Sequence, residues 1–140
     1  MCALQRPLDD KTQLRVAIEA DAILALIALR ESGQIELVSS FAHRFENDNN
    51  PHRSRREFAS GILRQAGWIV ERGAGVEAYA LVLVGHGIKP LDALHLACAV
   101  ESEADYFCTC DDRLLKKARG LSLAGVKVVS PLELIAEIEP

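Results

Sequence analysis

Asp92 and Asp111 stand 19 residues apart in the stretch GIKPLDALHLACAVESEADYFCTCDDRLL, residues 87 to 115. The first falls in the opening turn of an oily helical run, the second just after a short apolar strand-like run. A step of that length is about what a helix, a turn and a strand consume before the chain returns to one end of a sheet. Glu46 follows the apolar run IELVSS across a short helical stretch, far enough to look back at the same rim. Three carboxylates gathered there repel one another unless a divalent cation neutralises them. Mg²⁺ and Mn²⁺ favour such oxygen ligands, and keep waters for a phosphate or for attack as hydroxide.

Each acid also has a plainer explanation. A carboxylate in a first helical turn, as at Asp92, is favoured by orphan N–H groups and the helix dipole. Asp111 and Asp112 have the residue type that caps the helix after them. Glu46 alone suits a solvated helix face, and Asp105 suits a turn before an oily strand. The combination, not any one acid, carries the chemical reading.

The elements that must position these acids follow from periodicity and breakers. Residues 12 to 32 predict a long helix, with Leu14, Ala17, Ile18, Ala22, Leu24, Ile27 and Ala28 at three-to-four spacing and Gly33 as its stop. IELVSS predicts a short buried strand, FAHRFEND one or two helical turns, and NDNNPHRS a break. SRREFASGILRQAG predicts an amphipathic helix with Phe58, Ile62 and Leu63 inward, and WIVE a brief strand. GVEAYALVLVGHG is a largely apolar helix closed by Gly85 or Gly87. Pro90 opens the next helix, 90 to 102, where its missing N–H costs nothing, with Leu91, Leu94, Ala97 and Cys98 inward. DYFCT predicts a strand, DDRLLKKARG a helix, VKVVS a strand and PLELIAEI a last helix. Short oily strands alternating with helices predict an α/β fold with a parallel sheet covered on both faces.

Composition narrows the function classes. A chain of 140 residues with 49% apolar and 26% charged residues predicts one folded domain. The 16 basic against 20 acidic residues leave a charge of -4, which disfavours a non-specific grip on nucleic acid but permits a local basic groove. No apolar run is long enough to span a bilayer, and MCALQRPLDD lacks the layout of a secretion signal. With four cysteines in no close-spaced framework, a cytoplasmic protein with reduced thiols is expected. Zinc on CTC plus His95 lacks a second spaced pair of ligands. Neither GxxxxGK nor a strand-borne GxGxxG occurs, which weighs against a nucleotide-binding enzyme.

The segments SSFAHRFENDNNP, GIKPLDALHLACAVESEADYFCTCDDRLLKKA and GVKVVSPLELI closely resemble the PIN-domain family, especially small bacterial proteins of the VapC-like type. The resemblance covers nearly the whole chain as a single domain. It implies a three-layer α/β/α sandwich around a central parallel sheet, and a Mg²⁺- or Mn²⁺-dependent ribonuclease acting on single-stranded RNA. By motif, Glu46, Asp92 and Asp111 match the family's catalytic acids and metal ligands, with Asp112 as a further ligand beside Asp111. Ser40 and Thr109 match polar residues that help hold the site. An antitoxin-like protein partner and a homodimer are further implications.

One departure matters. The family opens on a central strand of the type YLDT whose aspartate is a principal metal ligand, whereas MCALQRPLDDKTQ resembles the stretch just after it. Asp9 and Asp10 do not substitute for that acid by motif. An upstream start or a decayed gene would explain this, and the intact binary patterning favours the upstream start. A PIN-like protein without catalysis, acting by protein or RNA binding, is the competing reading.

Arg44, His52, Arg53, Arg55 and Arg56 put positive charge around the loop HRFENDNNPHRSRR and are candidates to receive RNA phosphates. His95, one turn after Asp92, is a candidate for substrate contact or for a hydrogen bond within its helix neighbourhood. Reversing charge at Arg53, Arg55 and Arg56 together should weaken RNA binding and flatten its salt dependence, measured by titration at two ionic strengths. Unchanged binding would remove these arginines from any RNA path.

Overall fold

Helix and strand alternate through the computed structural model, which describes residues 2–138. A short helix α1 (Cys2–Gln5) and a 3-10 turn (Arg6–Leu8) precede the long α2 (Leu14–Glu31). Strand β1 (Val38–Ser40) leads into α3 (Phe41–Asp48) and α4 (Arg53–Leu63), then β2 (Trp68–Val70). Helices α5 (Ala74–Gly85) and α6 (Pro90–Glu101) follow, then β3 (Tyr106–Cys108), α7 (Asp112–Arg119), β4 (Lys127–Val129) and α8 (Pro131–Ile138).

Local chemistry sets the boundaries. Gly33 adopts φ +80°, a left-handed conformation that a Cβ disfavours, and Gln34 N–H returns to Leu29 O at 3.0 Å to close α2. The Ser40 hydroxyl accepts from His43 N–H and caps α3. Pro90 begins α6, as its missing N–H permits.

The inward face of α2 differs from the expected one. It buries Ala20, Ala22, Ile23, Leu26 and Leu29, while Leu14 is 75% exposed and Leu24 faces outward as well. The helix is apolar nearly all round, so spacing alone could not choose the face.

Two apolar layers enclose the strands. One gathers Val76, Ala80 and Leu83 of α5, Ala93, Leu96 and Ala97 of α6, and Leu114 of α7, with Val38 of β1 and Phe107 of β3 packed against them. The other joins Ile23, Leu26 and Leu29 of α2 to Leu134 of α8, with Tyr106 and Cys108 of β3. Phe107 and its neighbours alternate between the layers, as period-2 side chains must. The alternation of helices with parallel strands is the α/β fold the sequence predicts.

The sheet corrects a sequence expectation. In place of one central parallel sheet there are two parallel pairs, β1–β2 and β3–β4. Val38 pairs with Trp68 and Ser40 with Val70 in the first, Tyr106 with Lys127 and Cys108 with Val129 in the second. Among the described residues no strand joins β1 to β3. Helix α6 packs on both β1 and β3 and connects the halves through side chains.

Leu96 is fully buried in α6 at the centre of this cover. Leu96→Ala should lower unfolding free energy by about 2–5 kcal/mol through lost burial and the cavity left behind. Urea unfolding followed by circular dichroism measures it, and a loss under about 1 kcal/mol would show that α6 is not the central packing element.

Candidate functional site

Strand β1 leads into α3 and strand β3 into α7, and α3 packs on α6, whose first turn carries Asp92. Helix α3 carries Glu46, whose Oε2 lies 2.7 Å from His95 Nε2 on α6. Burial pushes the Glu46 carboxyl up, the hydrogen bond with His95 pulls it down, and the balance falls below the ordinary carboxylate value. His95 is itself buried and lies ring to ring with His43, centroids 4.7 Å apart. His43 Nδ1 is 3.3 Å from the Ser40 hydroxyl. Partial burial, with His95 alongside, lowers the His43 imidazole to about 3, so it is neutral at physiological pH.

Asp92 occupies the first turn of α6, as expected. Burial raises its carboxyl, and the neighbouring Asp111 and Glu46 raise it further against the pull of His95. Asp92 is thus close enough to Asp111 and Glu46 to feel both charges. Their hydrogen bonds differ. Asp111 caps α7, its Oδ1 accepting from Arg113 N–H at 2.9 Å and Leu114 N–H at 3.2 Å. Buried Thr109 supports that turn by accepting from Asp111 N–H at 3.1 Å. Asp112 points elsewhere and forms a two-pronged pair with Arg15 at 2.6 and 2.7 Å, which holds its carboxyl below the ordinary value.

The other acids that the sequence raised are outside this neighbourhood. Asp9 pairs with Arg6 at 3.0 Å and with Arg55 at 2.7 Å, and Asp10 accepts from Thr12 N–H. Buried Ser40 also hydrogen-bonds Cys98, whose thiol is raised chiefly by burial, so Ser40 ties β1 to α6.

The basic residues divide in the same way. Arg44 is paired with Glu71 at 2.8 Å, Arg53 with Glu57 at 2.9 Å and Arg55 with Asp9. Arg56 instead donates to Asn50 O at 2.7 Å. Arg53, Arg56, Glu57 and Ser60 of α4 and Arg64 at its C-cap line an open polar basin with Asn47 and Asp48. Arg64 was not among the sequence candidates. Its step of eight from Arg56, two helical turns on the same face, was the signal that could have found it.

The family model described as PIN domain matches residues 22–120, well over half of the chain. The chain belongs to the PIN-domain family. Searches of curated proteins and of solved structures find no match. The match begins within α2 and takes in Glu46, Asp92, Asp111 and Asp112.

PIN-domain nucleases as a class are associated with a divalent metal, and the oxygen donors here are of the right chemical type. Their arrangement does not fit one as it stands. Among the described residues no three His, Cys, Asp or Glu side chains are grouped so as to hold an ion. Glu46 is held by His95, Asp111 by the amides of α7, and Asp112 by Arg15. The same bond commits His95 Nε2, which leaves the zinc alternative on CTC and His95 without its imidazole nitrogen there.

The His43 shift gives stability a direction with pH. Folded His43 takes a proton only near pH 3, whereas the unfolded residue takes one near 6.5. The unfolded chain therefore holds more protons across that window, and stability should fall as pH drops from 6.5 toward 3. Urea midpoints measured through the window should fall less steeply in His43→Gln than in the parent. Equal slopes would mean that His43 titrates normally when folded.

Proposed function

We propose that this PIN-domain chain acts by binding RNA, without cleaving it in the arrangement described. The observation that carries the reading is the commitment of the acids. Glu46 is bonded to His95 and Asp111 to two backbone amides, while Asp112 is drawn to Arg15. Binding draws support from α4 and its C-cap, where three arginines, Arg53, Arg56 and Arg64, outnumber the two acids Asp48 and Glu57 around a basin beside Asn47. Guanidinium groups along a polar groove suit backbone phosphates, at a cost in salt sensitivity. Within an overall acidic protein this confines RNA to one face.

A Mg²⁺- or Mn²⁺-dependent endoribonuclease is the second reading. The mutual influence of Glu46, Asp92 and Asp111 on one rim favours it, since closely placed acids are what a divalent ion would relieve. For this reading Glu46 and Asp111 must exchange their present partners, or another acid must join Asp92.

One experiment separates the two. A labelled single-stranded RNA is incubated with the protein in EDTA, Mg²⁺ or Mn²⁺, with binding read by anisotropy and cleavage on a gel. Saturable, salt-sensitive binding with no metal-dependent cleavage is expected. Arg56→Glu with Arg64→Glu should weaken the binding by roughly tenfold at low salt. Cleavage that needs Mg²⁺ or Mn²⁺ and disappears in Asp92→Asn would overturn the binding-only reading and establish the nuclease.

A further inference from the structure

Lys89, Arg113, Lys116 and Lys117 are exposed, and among the described residues none of them forms an ion pair. Nearby cations are matched with acids. Arg15 takes Asp112, and Arg119, on α7 itself, takes Glu133. The four unmatched cations are neighbours. Lys116 and Lys117 stand three and four residues after Arg113 on α7, and so share its side of the helix. Lys117 Nζ donates to Gly87 O at 3.1 Å, which sets α7 against the turn just before Lys89. The acids nearest in the chain to Arg113 are engaged elsewhere, Asp111 with the amides of α7 and Asp112 with Arg15.

The helix dipole explains half of this patch. Lys116 and Lys117 lie in the last turn of α7, beside its negative end. Lys89 and Arg113 lie at the opposite kind of place. Lys89 is the N-cap of α6 and Arg113 sits in the first turn of α7, where the dipole disfavours a cation. A chain of net charge -4 therefore gathers four unpaired cations, two of them against the local field. A series of contacts joins the patch to the α4 basin. Along α6, Lys89 precedes Asp92 by three residues and His95 follows it by three. His95 bonds Glu46, and the next residue, Asn47, donates to Arg56 O at 3.2 Å and to the Ser60 hydroxyl at 2.9 Å. Six residues of helix rise about 9 Å, so both patches lie within reach of one short strand, with Asp92 between them.

We propose that Lys89, Arg113, Lys116 and Lys117 form a second phosphate grip, and that one single-stranded RNA runs from the α4 basin past Asp92 to this patch. The inference rests on the RNA-binding reading and extends it from one basin to a path. Lysine and arginine hold backbone phosphates by charge and position the strand without selecting bases. A phosphate backbone carries a charge at every residue, so a single strand engages both patches at once. The Asp92 carboxylate repels phosphate, so the strand is held on either side of it rather than upon it. Each phosphate neutralised on a single strand adds about 0.7 to the slope of log affinity against log salt.

The test uses the whole chain in EDTA and a labelled oligouridylate of about ten nucleotides, read by anisotropy at several salt concentrations. One strand per chain is expected. Lys89→Gln with Lys116→Gln should weaken binding at least about fivefold at low salt and lower the salt slope by about 1.4, the share of two contacts. Arg119→Gln with Lys127→Gln makes the same charge change at two residues that already have acids, and should stay within about twofold of the parent. Equal binding by the parent and the Lys89 and Lys116 variant, or an equal loss in the control, would overturn the second grip and leave the α4 basin standing. Two strands per chain, one of them lost in the variant, would make the patches separate sites and overturn the single path. A polyglutamate of about the same charge that binds more tightly than the RNA, and loses affinity in the same variant, would make an acidic polypeptide the occupant and overturn the RNA path. No RNA binding by the parent would sink the RNA-binding reading and this inference together.

Discussion

The packing of α6 against β1 and β3 together is the constraint on which the rest of the molecule depends. Backbone ladders hold each strand pair, but no ladder joins the pairs among the described residues. Side chains must do that work. Leu96 and Ala93 are fully buried and Ala97 nearly so, and Cys98 meets the Ser40 hydroxyl at the end of β1. Dispersion and apolar burial are non-directional, so they tolerate a gap between the pairs that a hydrogen-bonded sheet would not. The same helix brings Asp92 and His95 to the rim. Fold and site therefore share one support.

At the rim, unlike partners separate three acids that the sequence treats alike. Glu46 gains a histidine and falls below its ordinary value, whereas Asp92 rises, first through burial and then through Asp111. Asp111 satisfies the orphan amides that open α7. Such a rim is electrostatically poised, and Asp92 is the group with an unrelieved cost. Relief would come from a cation or from an exchange of partners within the rim. Glu46 and Asp111 spend their carboxylates on hydrogen bonds, and among the described residues no three such side chains are grouped to hold an ion.

Legibility varied along the chain for physical reasons. Breakers and caps placed most elements: Gly33 ends α2, Pro90 opens α6, and Asp111 caps α7 as its position predicts. The inward face of α2 was misread because Leu14, Ile18 and Leu24 are as apolar as the residues that are buried. The basic residues near α4 were visible, yet the sequence could not show that Asp9, far along the chain, takes Arg55. Arg64 stands at the C-cap of α4, away from the charged loop, and only helical spacing relates it to Arg56.

The sequence by itself determined the alternation of helices with short strands, because this follows from local periodicity and breakers. Only the tertiary structure decided that the strands form two pairs, that Glu46 bonds His95 and that Arg15 takes Asp112. Those outcomes depend on distances between residues remote in sequence. Hydrogen bonds and ion pairs reward an ångström of approach that no one-dimensional pattern encodes.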